Sequence, residues 1–149
     1  MKILMVCLGN ICRSPLAEGI LAHKTEHLNI KVDSAGTAGY HIGKLPDERS
    51  IEIAEKYNID LTKQRARQFS RADFDDFDII YAMDTNNYAH LISLADNETE
   101  RNKVRLILNE VTPEKFESVP DPYYGGDDGF QNIYNMLNAA CNKIISQIE

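Results

Sequence analysis

Residues 2–15 read Lys-Ile-Leu-Met-Val-Cys-Leu-Gly-Asn-Ile-Cys-Arg-Ser-Pro, and this stretch decides how the rest of the chain is organised. Residues 2–6 form a short apolar run that ends in a glycine-containing turn. Residues 15–28 follow with helix-compatible composition, Leu16, Ile20 and Leu21 recurring near the helical period. The pattern predicts strand, loop and helix, with Ser14 suited to the N-cap and Pro15 to the first helical position.

Further along, the same alternation returns. Residues 30–32 read as a strand before Ser34-Ala35-Gly36, and helix 47–57 follows. Strand 78–82, helix 85–95 and strand 104–108 come next. Strands separated by helices imply right-handed crossovers and a parallel sheet. Phe130, Ile133, Leu137, Ala140, Ile144 and Ile148 step by three or four residues and predict an amphipathic terminal helix covering one face of that sheet. Residues 109–129, rich in proline and glycine, read as one long irregular loop. An open parallel sheet binds ligands beyond the carboxyl ends of its strands, so this loop and residues 7–14 are expected to meet there. The expected fold class is therefore α/β: a three-layer, flavodoxin- or Rossmann-like domain, residues 1–149, with a central four-stranded parallel sheet flanked by helices.

Composition narrows the function classes. The 149 residues are 43% hydrophobic and 26% charged, and no window approaches the roughly 18 consecutive apolar residues of a membrane span. GNICRSP interrupts the N-terminal apolar run before a signal peptide could be completed, so a cytoplasmic address is expected. A net charge of -7 argues against nucleic-acid binding, which needs clustered Lys and Arg. Cys7, Cys12 and Cys141 are too few for a disulfide framework and are candidates for chemistry.

In the loop after the first strand, backbone N–H groups and the positive end of the helix dipole would converge on one point, an anion site built without lysine. Cys7 sits there, and the same field, with Arg13 nearby, favours thiolate over thiol. Five residues between Cys7 and Arg13 let the loop curl so that the guanidinium reaches two oxygens of a phosphoryl group whose phosphorus faces the sulfur. Gly9 permits close backbone approach, Asn10 can pin the loop through its amide, and the Ser14 hydroxyl can donate to the sulfur.

The segment VCLGNICRSP at 6–15, together with Asp121-Pro122-Tyr123-Tyr124-Gly125, resembles the low-molecular-weight protein tyrosine phosphatase family over essentially the whole chain. The resemblance implies hydrolysis of phosphotyrosine monoesters through a phosphocysteine at Cys7, with Arg13 stabilising the transition state and no metal or other cofactor. It makes Asp121 the general acid, with a plain turn aspartate as the alternative, and Leu8, Gly9, Asn10, Ile11, Cys12 and Ser14 the phosphate loop. Ser34 would brace Asn10, or is a simple turn serine. Tyr40, Tyr123 and Tyr124 would wall the substrate cleft, or are ordinary loop and surface tyrosines. Cys12 is either a reversible disulfide partner of Cys7 or a small buried hydrophobe. The implied partners are phosphotyrosine-containing proteins or peptides and a cognate tyrosine kinase.

Other residues carry less. Cys141 follows Leu137 by four positions, which favours core packing. His23 and His27 lie one turn apart but lack a third ligand at suitable spacing. Asp84 suffices as a helix cap. Many relatives place a histidine shortly before the Ala66-Arg67-Gln68 of this chain, which has Lys63, Gln64 and Arg65 there; Gln64 could replace its hydrogen bond but not its charge. Three competing activities remain. A protein-arginine phosphatase is disfavoured by Ile11, where such relatives carry threonine. A thiol-dependent arsenate reductase would need a further cysteine pair, and a phosphoryl carrier would not need Asp121.

Overall fold

The computed structural model describes residues 1–122 and 127–148. At its centre lies β1 (Lys2–Cys7), buried at every position after Lys2. Successive side chains point to opposite faces. Ile3, Met5 and Cys7 join one apolar cluster with Leu16, Ile20 and Leu137, while Leu4 and Val6 join a second with Phe74 and Leu91. A strand covered on both faces has no polar side to show, hence its unbroken apolar sequence. Strands β2 (Lys31–Gly36) and β3 (Ile79–Ala82) flank it in parallel, and β4 (Val104–Leu106) pairs in parallel with β3, giving the order β2-β1-β3-β4. The expected four-stranded parallel α/β sheet is what forms.

Helix α1 (Arg13–Lys24) and helix α2 (Glu48–Glu55) cover the first face. Helix α3 (Ala72–Asp76) and helix α4 (Thr85–Leu94) cover the second, and α5 (Glu98–Lys103) leads into β4. Helix α6 (Asp127–Ile148) returns to the first face, where Phe130, Ile133, Leu137, Ala140 and Ile144 are buried at the expected spacing. Among the described residues no helix is long and apolar enough to cross a membrane.

Several boundaries differ from expectation. Helix α1 begins at Arg13, and Cys12 precedes it without a side-chain cap. Ser14 is therefore not the N-cap: its hydroxyl is committed to Cys7 and Asn10. Pro15 still falls in the first turn, where a backbone N–H has no helical partner to lose. Strand β2 runs on through Ser34-Ala35-Gly36 because these residues pair with Met5, Val6 and Cys7. Strand β4 stops at Leu106, opposite the last residue of β3, and residues Ile107–Glu110 form a 3-10 turn. Helices α3 and α5 were not anticipated.

The chain leaves β1 for β2 on one side and reaches β3 on the other, so a crevice opens where the carboxyl ends of β1 and β3 diverge. Met83 N–H donates to Val6 O at 3.0 Å, and Val119 N–H donates to Met83 O at 2.8 Å. The late loop is thereby tied to the mouth of the crevice.

Candidate active site

Cys7 is the last residue of β1 and Arg13 the first of α1, so the intervening loop must turn between a fixed strand and a fixed helix. Asn10 makes that turn with φ 58°, a left-handed conformation that asparagine tolerates better than most residues. Its amide then serves three partners. Nδ2 donates to Ser14 Oγ at 2.9 Å and to Ser34 Oγ at 3.0 Å, while Oδ1 accepts the Arg67 N–H at 3.0 Å.

Because each hydroxyl accepts from Asn10, each is left to donate elsewhere. Ser14 Oγ lies 3.0 Å from Cys7 Sγ, and Ser34 Oγ donates to Glu18 Oε1 at 2.7 Å. A continuous hydrogen-bonded chain thus joins the Cys7 sulfur to a carboxyl on α1, the helix that carries Ser14. Burial pushes that Glu18 carboxyl up to about 7, with Ser34 opposing, Asp33 adding to the rise and Arg67 opposing.

The Arg13 side chain is almost wholly buried. Its Nη1 donates to Asp84 Oδ2 at 2.6 Å and to Val119 O at 3.0 Å, and Nη2 lies 3.8 Å from Asp121 Oδ2. Burial opposes its charge, but Cys7, Asp84 and Asp121 more than offset this and hold the guanidinium protonated more firmly than usual. Asp84 divides its carboxylate. Oδ1 caps α4 by accepting the Asn87 N–H at 2.7 Å, and Oδ2 takes Arg13. Sequence reasoning saw only the cap.

A cleft of about 310 Å³ is lined by Cys7, Leu8, Gly9, Ile11, Cys12, Arg13, Tyr40, His41 and Asp121. Tyr40 stands at its rim, three-quarters exposed, with its ring edge toward His41 at 6.4 Å. His41 was missed by the sequence reading, although it adjoins Tyr40. Gly36 was missed too: a Cβ there would sit 2.7 Å from Leu8 O and 3.1 Å from the Gly9 carbonyl carbon. Only glycine lets the end of β2 press against the loop. Tyr123 and Tyr124 lie outside the described residues.

The other two thiols sit in different surroundings. All three cysteines are free. Burial, reinforced by Asp47 and Cys7, pushes the Cys12 thiol up to about 12, and burial in the core raises Cys141 to about 12 as well. Gln64 donates from Nε2 to Pro15 O at 3.0 Å, and its buried Oε1 has no hydrogen-bond partner among the described residues. Ile11 lines the cleft with an apolar side chain. His23 Nδ1 lies 3.9 Å from Glu26, and among the described residues no three His, Cys, Asp or Glu side chains are grouped to hold a metal.

Known proteins resemble this chain in sequence and in fold. Residues 2–149 match the low molecular weight phosphotyrosine protein phosphatase family. The low molecular weight protein-tyrosine-phosphatase YfkJ of Bacillus subtilis is 40% identical, the match covering 99% of this chain and 96% of the relative. A crystal structure of a protein tyrosine phosphatase from Entamoeba histolytica, with Hepes in its active site, superposes with a TM-score of 0.92 at 38% identity, covering 99% and 96%. A Drosophila arginine phosphatase superposes with a TM-score of 0.89 at 32% identity, covering 100% and 98%. With the family matched from end to end over the same loop and sheet, this chain belongs to the low molecular weight phosphotyrosine protein phosphatases.

Proposed function

We propose that this chain, read as one domain over residues 1–149, hydrolyses phosphotyrosine monoesters through a phosphocysteine at Cys7. The observation that carries the reading is the convergence of Cys7, Arg13 and Asp121 on one cleft, with the Ser14 hydroxyl 3.0 Å from the sulfur.

In the first step the Cys7 sulfur attacks phosphorus. The S–P bond forms as the P–O bond to the phenol breaks, and the Asp121 carboxyl gives its proton to the departing oxygen. A phenol is a poor leaving group as its anion, and a positioned acid is worth about a hundredfold to ten-thousandfold. In the second step water attacks phosphorus while the Asp121 carboxylate takes a proton from it. The S–P bond breaks, inorganic phosphate leaves, and Ser14 donates its hydroxyl to the returning sulfur anion. Arg13 holds the equatorial oxygens throughout, and Leu8, Gly9, Ile11 and Cys12 contribute the loop around them. Tyr40 stacks on the substrate ring, which favours an aryl phosphate that can reach the sulfur from the rim over the shorter phosphoserine.

The partners of such an enzyme are phosphotyrosine-containing proteins or peptides, and a tyrosine kinase is the class of enzyme that must supply them. Three free thiols suit a cytoplasmic address. The likeness to an arginine phosphatase favours a second reading, phosphoarginine as substrate, but Ile11 offers the guanidinium no hydrogen bond. Thiol-relay arsenate reduction is disfavoured because Cys141 is sealed in the core. The test is turnover of phosphotyrosine, phosphoserine and phosphoarginine peptides with chelator present, by the native chain and by Cys7→Ser. Phosphotyrosine alone should be turned over, and only by the native chain. Activity that survives Cys7→Ser, or that needs a divalent cation, would refute the mechanism.

A further inference from the structure

The phosphate loop is gripped from outside by its carbonyl groups. Thr37 N–H donates to Cys7 O and Ala38 N–H to Leu8 O, both at 2.9 Å, and Asp47 N–H donates to Ile11 O at 2.7 Å. A fourth carbonyl, that of Cys12, accepts from the Ser50 hydroxyl at 3.2 Å. In a trans peptide the C=O of one residue and the N–H of the next point in opposite directions. Four carbonyls drawn outward therefore turn the N–H groups of Leu8, Gly9, Cys12 and Arg13 toward the inside of the curl, where the cleft lies.

Three of these anchors are backbone N–H groups, which any residue except proline supplies. The fourth is a side chain, so it depends on what occupies position 50. Ser50 is the third residue of α2 and is fully buried. Capping of α2 falls to Asp47, which accepts the Arg49 N–H at 2.9 Å, and this leaves the Ser50 hydroxyl for the loop.

The peptide that Ser50 holds is loosely held by its own helix. Cys12 gives α1 no side-chain cap, and the first helical bond there, Leu16 N–H to Cys12 O, is long at 3.4 Å. The Arg13 N–H is one of the opening donors of α1 that have no helical partner, at the positive end of the helix. It also belongs to the residue whose guanidinium takes the same phosphoryl group.

Resting on the function proposed above, we infer that Ser50 is a positioning residue for phosphoryl transfer: by holding the Cys12 carbonyl away from the cleft, its hydroxyl aims the Arg13 N–H at a phosphoryl oxygen. Ser50 does not line the cleft and acts through this one peptide. Alanine at position 50 removes the hydroxyl, needs no extra room and suits a helix, so the fold tolerates the change. One neutral hydrogen bond is worth roughly twofold to tenfold in an equilibrium.

The experiment compares the native chain with Ser50→Ala and with Thr25→Val, which removes a buried hydroxyl-to-carbonyl bond of 2.7 Å at the far end of α1. For each, kcat and KM are measured on p-nitrophenyl phosphate, inorganic phosphate is titrated while the backbone amide resonance of Arg13 is followed, and urea unfolding reports stability. Phosphate should shift the Arg13 amide of the native chain. Ser50→Ala should bind phosphate about fivefold more weakly, show a smaller Arg13 shift at saturation and lose a similar factor in kcat/KM. Thr25→Val should lose stability and keep the native phosphate affinity and kcat/KM. Native phosphate binding and kcat/KM in Ser50→Ala, with or without a loss of stability, would overturn the inference. So would an Arg13 amide that ignores phosphate, or equal losses in Thr25→Val, because a general softening of α1 would then suffice. A native chain that binds phosphate but turns over no ester would overturn the phosphatase reading alone, since the binding arm still tests Ser50. One that neither binds phosphate nor turns over ester would overturn both.

Discussion

Replacing Glu18 by Gln tests the electrostatics of the site through the stability of the fold. In the native protein burial raises the Glu18 carboxyl from an ordinary 4.5 to about 7, although Ser34 donates to it and Arg67 lies near. Between those two values the folded state keeps a proton that the unfolded state releases. The stability contributed by the neutral acid is therefore complete below about 4.5 and is lost as pH rises through about 7. The gap is about 2.5 pH units, each worth about 1.4 kcal/mol, so the native chain forfeits roughly 3 kcal/mol on going from acid to pH 8. Glutamine has nearly the same shape, keeps an oxygen for Ser34 and cannot ionise. Cys12, whose thiol is also raised, stays neutral throughout this range and does not contribute. Urea unfolding of both proteins from pH 4.5 to pH 8 should show the Glu18→Gln protein gaining on the native one by roughly 3 kcal/mol, or about 6–12 °C in Tm for a chain of this size. A stability difference that does not change with pH would refute the reasoning, because the ion pair or hydrogen bond would then outweigh burial.

Gly36→Ala should cut kcat/KM by at least a hundredfold and lower stability by roughly 1–3 kcal/mol, since its methyl would meet loop backbone at 2.7 Å; steady-state kinetics beside denaturant unfolding check both. Brief treatment with iodoacetamide at pH 7, followed by peptide mapping, should label Cys7 and spare Cys12 and Cys141, whose thiols are held neutral to about 12. Arg13→Lys should keep the positive charge yet lose at least a hundredfold in kcat/KM, because one ammonium cannot hold Asp84 and Val119 while gripping two phosphoryl oxygens; a loss under tenfold would show that charge alone suffices.

What was legible in the sequence follows from how far each signal reaches along the chain. Strand β1 and helix α6 could be read because burial on both faces of one, and on one stripe of the other, writes a local pattern. Helix α5 has no buried residue at all, so its sequence shows no helical stripe to find. Ser34-Ala35-Gly36 looks like a turn, yet it pairs as strand because β1 is long enough to receive it. In the site, motif chemistry singled out Cys7, Arg13 and Asp121, and these three line one cleft. The Arg13–Asp84 contact was not legible, because it spans 71 positions and Asp84 already had a sufficient local task in capping α4. Glu18 was closer to view: it lies one turn after Ser14, on the same face of α1. The misreading of Ser14 has the same root. A serine before a proline at a helix start resembles a cap until its hydroxyl is seen to accept from the Asn10 amide and to face the Cys7 sulfur.

In the mechanism proposed above, a chain of net charge -7 binds a phosphate dianion at Arg13. A guanidinium has five N–H donors, and the two on Nη1 are spent on Asp84 and on the Val119 carbonyl. Those bonds fix the plane of the fork against the carboxyl end of β3, and they leave the edge made by Nε and Nη2 as the pair suited to two oxygens of a phosphoryl group. Asp84 also neutralises the resting charge, which makes burial of an arginine at 3% exposure tolerable before substrate arrives. Asp121 lies 3.8 Å from Nη2, so in the mechanism proposed above a phosphoryl group held at that nitrogen also meets the carboxyl assigned to protonate its leaving oxygen. The acids around Arg13 therefore do not cancel the anion site. One aims the guanidinium, the other stands where the proposed mechanism needs a proton, and the excess negative charge of the chain stays outside the loop.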